Sequence, residues 1–380
     1  MIGKVFSSEK KTFADKTTGT TITQLTNNAN NFHFYFTDNS FMKDDKEILF
    51  LSDRGAREHV YNFFKMNLAT GEMICLSDES NLITNRYTKT PEGDIVVYMT
   101  GSEIKKLDVS SGKTQVLYRY SSDVDINAVS ISCDKQYLIF LENEKASVPI
   151  GLPNYAGFMD RMFETKKSRI MLLSMDGGCA EKIYEDTHHT SHLQFSPSIP
   201  YIATFCHEGP WNLVHQRIWM LNLLTRSVTP LVRQGKDDCV GHEFWTRDGL
   251  VFFENRLEGH DGTITENKTQ AYAKAPKSDL LPYVGFCNIK GEILRTVNMP
   301  VYCNHYHANN DNTLLVGDAA EHIMLIDVSG KTANARELCT HGTSWRTQSS
   351  HCHPTFGWGG KKILYASDVG GKLNIYMVEL

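Results

Sequence analysis

The chain has 380 residues, 39 Lys and Arg against 44 Asp and Glu, 41% hydrophobic residues and a formal net charge of −5. That balance lacks the broad positive field of a nucleic-acid binder, so any anionic ligand has to be held by local charge. No apolar run approaches the roughly 20 residues that span a bilayer, so neither nucleic acid nor membrane is an expected partner, and no obligate protein partner is implied.

The first residues, Met1 to Lys11, contain neither an apolar stretch nor a small-residue cleavage site, so export is not expected and a cytoplasmic location follows. The nine cysteines (Cys75, Cys133, Cys179, Cys206, Cys239, Cys287, Cys303, Cys339 and Cys352) are odd in number and scattered. They read as free thiols of a reducing compartment.

Residues 20–25 form an isolated β-branched strand. After it one unit recurs: a short strand, a polar turn, an apolar strand, a polar loop, an aromatic-apolar strand, a tight turn and a closing strand. The second, apolar strands fall at 47–52, 94–99, 136–141, 201–206, 249–254, 313–317 and 362–367, which makes seven copies. Their spacing is 42 to 49 residues except for two gaps of 64 and 65, near the period of propeller blades. The long gaps hold insertions at about 143–167 and 256–282, between the second and third strands of their units, on the upper rim. A lone four-stranded meander cannot bury both faces, whereas seven packed radially can. The expected fold is therefore all-β: a seven-bladed β-propeller forming a single domain over 1–380. Because the last copy stops after three strands, the strand at 20–25 is expected to complete it and close the ring.

In a propeller the starts of the innermost strands and the loops between strands two and three share one rim. Those starts carry His33, His192, His242, His305 and the pair His351/His353; the loops carry Arg54, Arg57, His207, Glu208 and Trp211. So many of 15 histidines converging on one channel mouth is the main functional signal. The bland alternative is a channel capped by polar aromatics without chemistry.

Residues two apart in an extended strand share a face, so His351 and His353 can bind one metal, with Gln348 adding a carbonyl oxygen; otherwise both imidazoles simply bond to backbone. The segment from Cys303 to His307 offers a third imidazole one blade away. Cys303 and Cys352 point to the opposite face and are read as packed thiols. Imidazole donors suit Zn, Fe, Ni or Cu, while Mn takes more oxygen, so the spacing leaves the ion open. His242, across the mouth, has an ordinary pKa of about 6.5 that suits proton abstraction; the alternative is a bond to Glu243 or to backbone. Arg217 is placed to grip a carboxylate with its two-pronged guanidinium, or else to pair with Glu208. His192, His207, Arg54 and Trp211 are candidate substrate-binding residues. Serine-hydrolase elbow, phosphate-loop and dinucleotide motifs are all missing from the sequence.

At Cys206-His207-Glu208-Gly209-Pro210-Trp211, Gln216-Arg217-Ile218-Trp219-Met220, Gly241-His242-Glu243-Phe244-Trp245, Val316-Gly317-Asp318 and Gln348-x-x-His351-x-His353-Pro354 the chain resembles the oligogalacturonate lyases, over nearly its whole length. The resemblance implies a seven-bladed propeller that binds a divalent ion, Mn²⁺, through His305, Gln348, His351 and His353, with His307 an alternative to His305. It also implies His242 as catalytic base and Arg217 as partner of the substrate charge. The implied reaction is metal-assisted β-elimination of short anionic oligogalacturonides such as digalacturonate, giving 4,5-unsaturated uronates in pectin degradation. A lactonase-like propeller metallo-hydrolase and a non-catalytic propeller scaffold are the competing expectations.

Overall fold

In the computed structural model, residues 1–148, 157–256, 261–262 and 282–380 are described. They form seven antiparallel sheets in chain order, the blades of a seven-bladed β-propeller. The innermost strands are Asn31–His33, Tyr87–Lys89, Val124–Ile131, Thr190–Phe195, Val240–Trp245, Tyr306–Ala308 and Thr355–Phe356. These head blades 1 to 7.

The second strands show why each blade forms. They occupy Glu47–Ser52, Ile95–Met99, Tyr137–Glu144, Ile202–His207, Val251–Asn255, Leu314–Asp318 and Lys362–Ser367, within a few residues of the expected positions. Both faces of each strand are buried, so alternate side chains serve opposite neighbours. Leu138 and Phe140 pack with blade 2, while Ile139 and Leu141 pack with blade 4. The same alternation sends Ile48 and Phe50 toward blade 7 and Leu49 and Leu51 toward blade 2. Among the described residues the apolar core therefore divides into seven clusters, one between each pair of adjacent blades. Seven blades in an open row would have six interfaces; the seventh, between blades 7 and 1, means the ring is closed.

Closure comes from both chain ends. The C-terminal strand Asn374–Glu379 pairs antiparallel with Thr21–Gln24, with Ile22 opposite Val378. This is the closing strand expected from the sequence. Two further N-terminal strands carry no such signal. Lys11–Ala14 pairs on the outer side of Thr21–Gln24, and Val5–Phe6 adds a fifth strand to blade 1. The first of these is exposed at every residue, so it has no apolar alternation to read.

Of the insertion at 143–167, residues 149–156 lie outside the described residues. Its described part includes a short helix, Phe158–Glu164, whose Met162 lies against Gly209 on the blade 4 loop. The insertion at 256–282 lies almost wholly outside the described residues. No helix among the described residues is long and apolar enough to cross a membrane.

Ile22 is 1% exposed and joins the core between blades 6 and 7, whereas Phe13 is 45% exposed. Ile22→Ala should lower the unfolding free energy by about 2–4 kcal/mol in a chemical denaturation series, and Phe13→Ala by about 0.5 kcal/mol or less. Equal effects would contradict closure through the inner of the two N-terminal strands.

Candidate active site

The segments just before the innermost strands of blades 6 and 7 bring three imidazoles together. Metal-donor nitrogens of His305, His351 and His353 all lie within 4.8 Å of one another. The ring centres are 4.2 Å apart for His305 and His353, and 5.3 Å apart for His305 and His351.

The backbone achieves this differently from the strand alternation expected. The innermost strand of blade 7 begins only at Thr355, after Pro354. His351 instead follows a one-turn helix, Gln348–Ser350, capped reciprocally by Thr347 and Ser350. His353 adopts a left-handed conformation, φ 45°, which is unfavourable for a residue with a Cβ and is characteristic of functional sites. A turn, rather than a pleat, aims both rings at one point.

Buried polar groups orient them. Asp318 pairs with His305 Nδ1 at 2.9 Å and accepts hydrogen bonds from the backbone N–H groups of His305 and His353. Such carboxylate support fixes which ring nitrogen is left for an ion. Burial, reinforced by the neighbouring imidazoles, holds His305 and His353 well below the usual histidine range and lowers His351 to about 3. Neutral rings keep their lone pairs. His353 Nε2 is moreover buried without a hydrogen-bond partner among the described residues. Three neutral imidazoles, one with an unsatisfied nitrogen, fit a divalent transition ion. The His305-or-His307 alternative separates on geometry: His307 accepts a hydrogen bond from Phe356 N–H and stacks on Phe244, away from this cluster. Gln348 lies three residues before His351 with its side chain exposed, and its carbonyl accepts the His351 N–H. Cys303 and Cys352 are buried in the cores on either side of blade 6.

His242 stands beside the cluster, its ring centre 4.7 Å from that of His305. Its Nδ1 pairs with Glu254 Oε1 at 2.9 Å, rather than with Glu243 or backbone. Glu254 is held in turn by Arg256. Burial, with the charges of His192, Arg256 and Arg217, pulls His242 well below its ordinary range. Burial thus disfavours the charged imidazole, and with Nδ1 engaged by Glu254 its Nε2 is left to accept a proton. The ordinary pKa expected from sequence does not survive burial.

Arg217 departs from its expected role. It is 1% exposed, its Nη1 and Nη2 donate to Glu208 and its Nε donates to Glu243. The fork expected for a substrate carboxylate is thus occupied by Glu208, the alternative left open from sequence. His192 joins this group, 3.1 Å from Glu243 and 3.7 Å from Glu208, with its backbone at φ 48°. Tyr35 and Phe36, from blade 1, pack their rings against His192, His242, His305 and His353.

Three other candidates are placed elsewhere or enclosed. His207 faces the cleft toward blade 3, where it pairs with Asp186 at 2.9 Å and stacks on His188. Residues of its strand alternate, so it turns away from the mouth that Cys206 faces. Arg54 is buried in an ion pair with Glu9, which ties down the N-terminal segment. Trp211 lies edge-on to His242 but is 3% exposed, packed on Gly241, Gly262 and the Arg256 guanidinium. A Cβ at Gly241 would approach its ring to 2.0 Å, so the glycine before His242 is there for packing. Trp211 offers no open face for a sugar.

Glu254, Arg256, Tyr35 and Phe36 are not singled out from the sequence, and Asp318 appears only within a motif. A signal for Glu254 and Asp318 existed: each is a carboxylate near or at the rim end of an otherwise apolar second strand, where burial demands a partner.

A closed seven-bladed propeller with a three-imidazole cluster and a carboxylate-supported histidine at one rim defines the class. A family model described as oligogalacturonate lyase matches residues 1–380, and the chain belongs to that family. It is 23% identical to an oligogalacturonide lyase of Pectobacterium atrosepticum, over 97% of this chain and 95% of the relative. It is 24% identical to an oligogalacturonate lyase of Dickeya dadantii, over 100% and 98%. A solved structure of an oligogalacturonate lyase in complex with manganese is similar at a TM-score of 0.86, with 23% identity, covering 100% of this chain and 98% of that one. The oligogalacturonate lyase structure from Vibrio parahaemolyticus is similar at 0.84, also with 23% identity and the same coverage.

His305→Ala should lower the bound divalent metal per chain in elemental analysis, while His307→Ala should leave it at the wild-type value. The reverse pattern would move the third ligand to His307.

Proposed function

We propose that this chain is a cytoplasmic oligogalacturonate lyase that cleaves short galacturonides such as digalacturonate by β-elimination, with Mn²⁺ as its ion. The observation that carries the reading is the juxtaposition of His242, tied to Glu254, with the imidazoles of His305, His351 and His353. Those three residues would hold the ion, with Gln348 as a fourth, oxygen ligand. Once bound, it supplies a Lewis acid that neutralises the substrate carboxylate and so acidifies the adjacent C5 proton.

The remaining chemistry belongs to the chain. His242 Nε2 takes the C5 proton, and Glu254 stabilises the imidazolium as it forms. The C5–H electron pair, held first in a carboxylate-stabilised carbanion intermediate of the substrate, becomes the C4–C5 double bond as the C4–O bond breaks with its pair on the departing oxygen. Arg217 acts one step back, holding Glu208 and Glu243 in place. Tyr35 and Phe36 pack against the histidines and limit water, strengthening the electrostatic interactions around them. The net charge of −5 leaves capture of an anionic substrate to this local site. A cytoplasmic setting is supported by nine free cysteines, seven of them buried.

His242→Ala should retain bound metal yet lose about 100-fold or more of the turnover followed by ultraviolet absorbance of the conjugated uronate. Turnover within about tenfold of wild type would remove His242 as base.

A further inference from the structure

Two histidines flank the mouth, and the charges around them differ. Near His192 lie two carboxylates, Glu243 and Glu208, which share a single guanidinium, that of Arg217. Near His242 lies Glu254, already matched by Arg256. Buried charge persists only when paired. The first group therefore lacks one positive charge, which a doubly protonated His192 provides, while the second already has one guanidinium for its one carboxylate.

Atomic detail agrees. His192 Nδ1 and Glu243 Oε1 are 3.1 Å apart, and both are buried with no linear hydrogen bond to any described residue. Two unprotonated buried acceptors at that distance repel each other, a repulsion that protonation of the ring relieves. Nε2 stands 3.7 Å from Glu208, whose charge favours a second N–H there. Among the described residues the Cys206 thiol, the Tyr35 phenol and the His242 ring also lie against His192. Burial pushes the Cys206 thiol and the Tyr35 phenol well up, so both stay uncharged. Burial also pulls His192 down, but Glu243 and Glu208 outweigh it and the net direction is up.

The two imidazoles are near-parallel, with centres 5.9 Å apart, and their side chains are 15% and 14% exposed. This spacing suits two reacting atoms on adjacent carbons, each within about 3 Å of its own nitrogen. Two like groups with unlike charged neighbours are the usual arrangement of an acid and a base.

We infer that His192 is the general acid of the elimination, passing its Nε2 proton to the C4 oxygen of the departing sugar once His242 has withdrawn the C5 proton to leave a carboxylate-stabilised carbanion. The assignment rests on the lyase reading above. The step balances: the C4–O electron pair accepts the His192 proton to give the hydroxyl of the leaving sugar, His192 ends neutral and His242 ends protonated. Proton exchange with solvent restores both.

The test is digalacturonate in deuterated water with the metal-loaded protein, following unsaturated product by ultraviolet absorbance and deuterium at C5 of recovered substrate by mass spectrometry. His192→Gln, or His192→Asn, whichever keeps the wild-type thermal transition, should lower elimination about 100-fold while C5 exchange continues, since the base is intact and the intermediate returns to substrate. His242→Ala should lose both. A fall of less than about tenfold in the His192 variant overturns the assignment, as does loss of C5 exchange in step with elimination, which marks a structural role. Wild-type protein that forms no unsaturated product overturns the lyase reading itself.

Discussion

The pairing of Thr21–Gln24 with Asn374–Glu379 is the interaction on which everything else depends. Each blade buries its faces only against its neighbours, so an unsealed ring would leave the faces of blades 7 and 1 wet. Closure also has a chemical consequence. His351 and His353 stand on blade 7, His305 on blade 6 and Tyr35 and Phe36 on blade 1, so the seam lies in the wall of the mouth. A loosened seam would part the aromatic rings of blade 1 from the histidines they cover.

Within that mouth, pairing of charges decides what each histidine does. Asp318 positions His305, Glu254 positions His242, and Glu243 with Glu208 encloses His192. In the proposed mechanism the same side chain thus serves as ligand, base and acid according to how many carboxylates and guanidinium groups surround it. The positive backbone angles at His192 and His353 belong to the same arrangement. Left-handed backbone costs energy for a residue with a Cβ, and here it turns rings inward that a regular strand would direct elsewhere.

The architecture was legible because a strand buried on both faces has a plain signature: short apolar runs, repeated seven times at blade spacing. The closing strand at 21–24 was legible from its β-branched residues and from the missing fourth strand of the last copy. The strand Lys11–Ala14 was not, because an exposed outer strand needs no pattern. At the site, the convergence of His242, His305, His351 and His353 followed from blade topology and from motifs shared with the lyases. The partners of those residues did not. His207 and Arg54 were expected at the mouth because rim loops carry them, but their side chains satisfy Asp186 and Glu9 instead. Which carboxylate a buried cation meets depends on packing across blades, and local spacing carries no record of it. Arg217 shows the same limit, since its fork is filled by Glu208 and Glu243 from two different blades.

The central claim is that the closed ring assembles one divalent-ion site that drives the elimination. The most direct measurement is the rate of unsaturated uronate formation from digalacturonate by protein stripped of metal with a chelator, then titrated with Mn²⁺ under ultraviolet detection. The account predicts negligible elimination in the stripped protein and recovery that saturates near one ion per chain. Undiminished elimination without metal would contradict it.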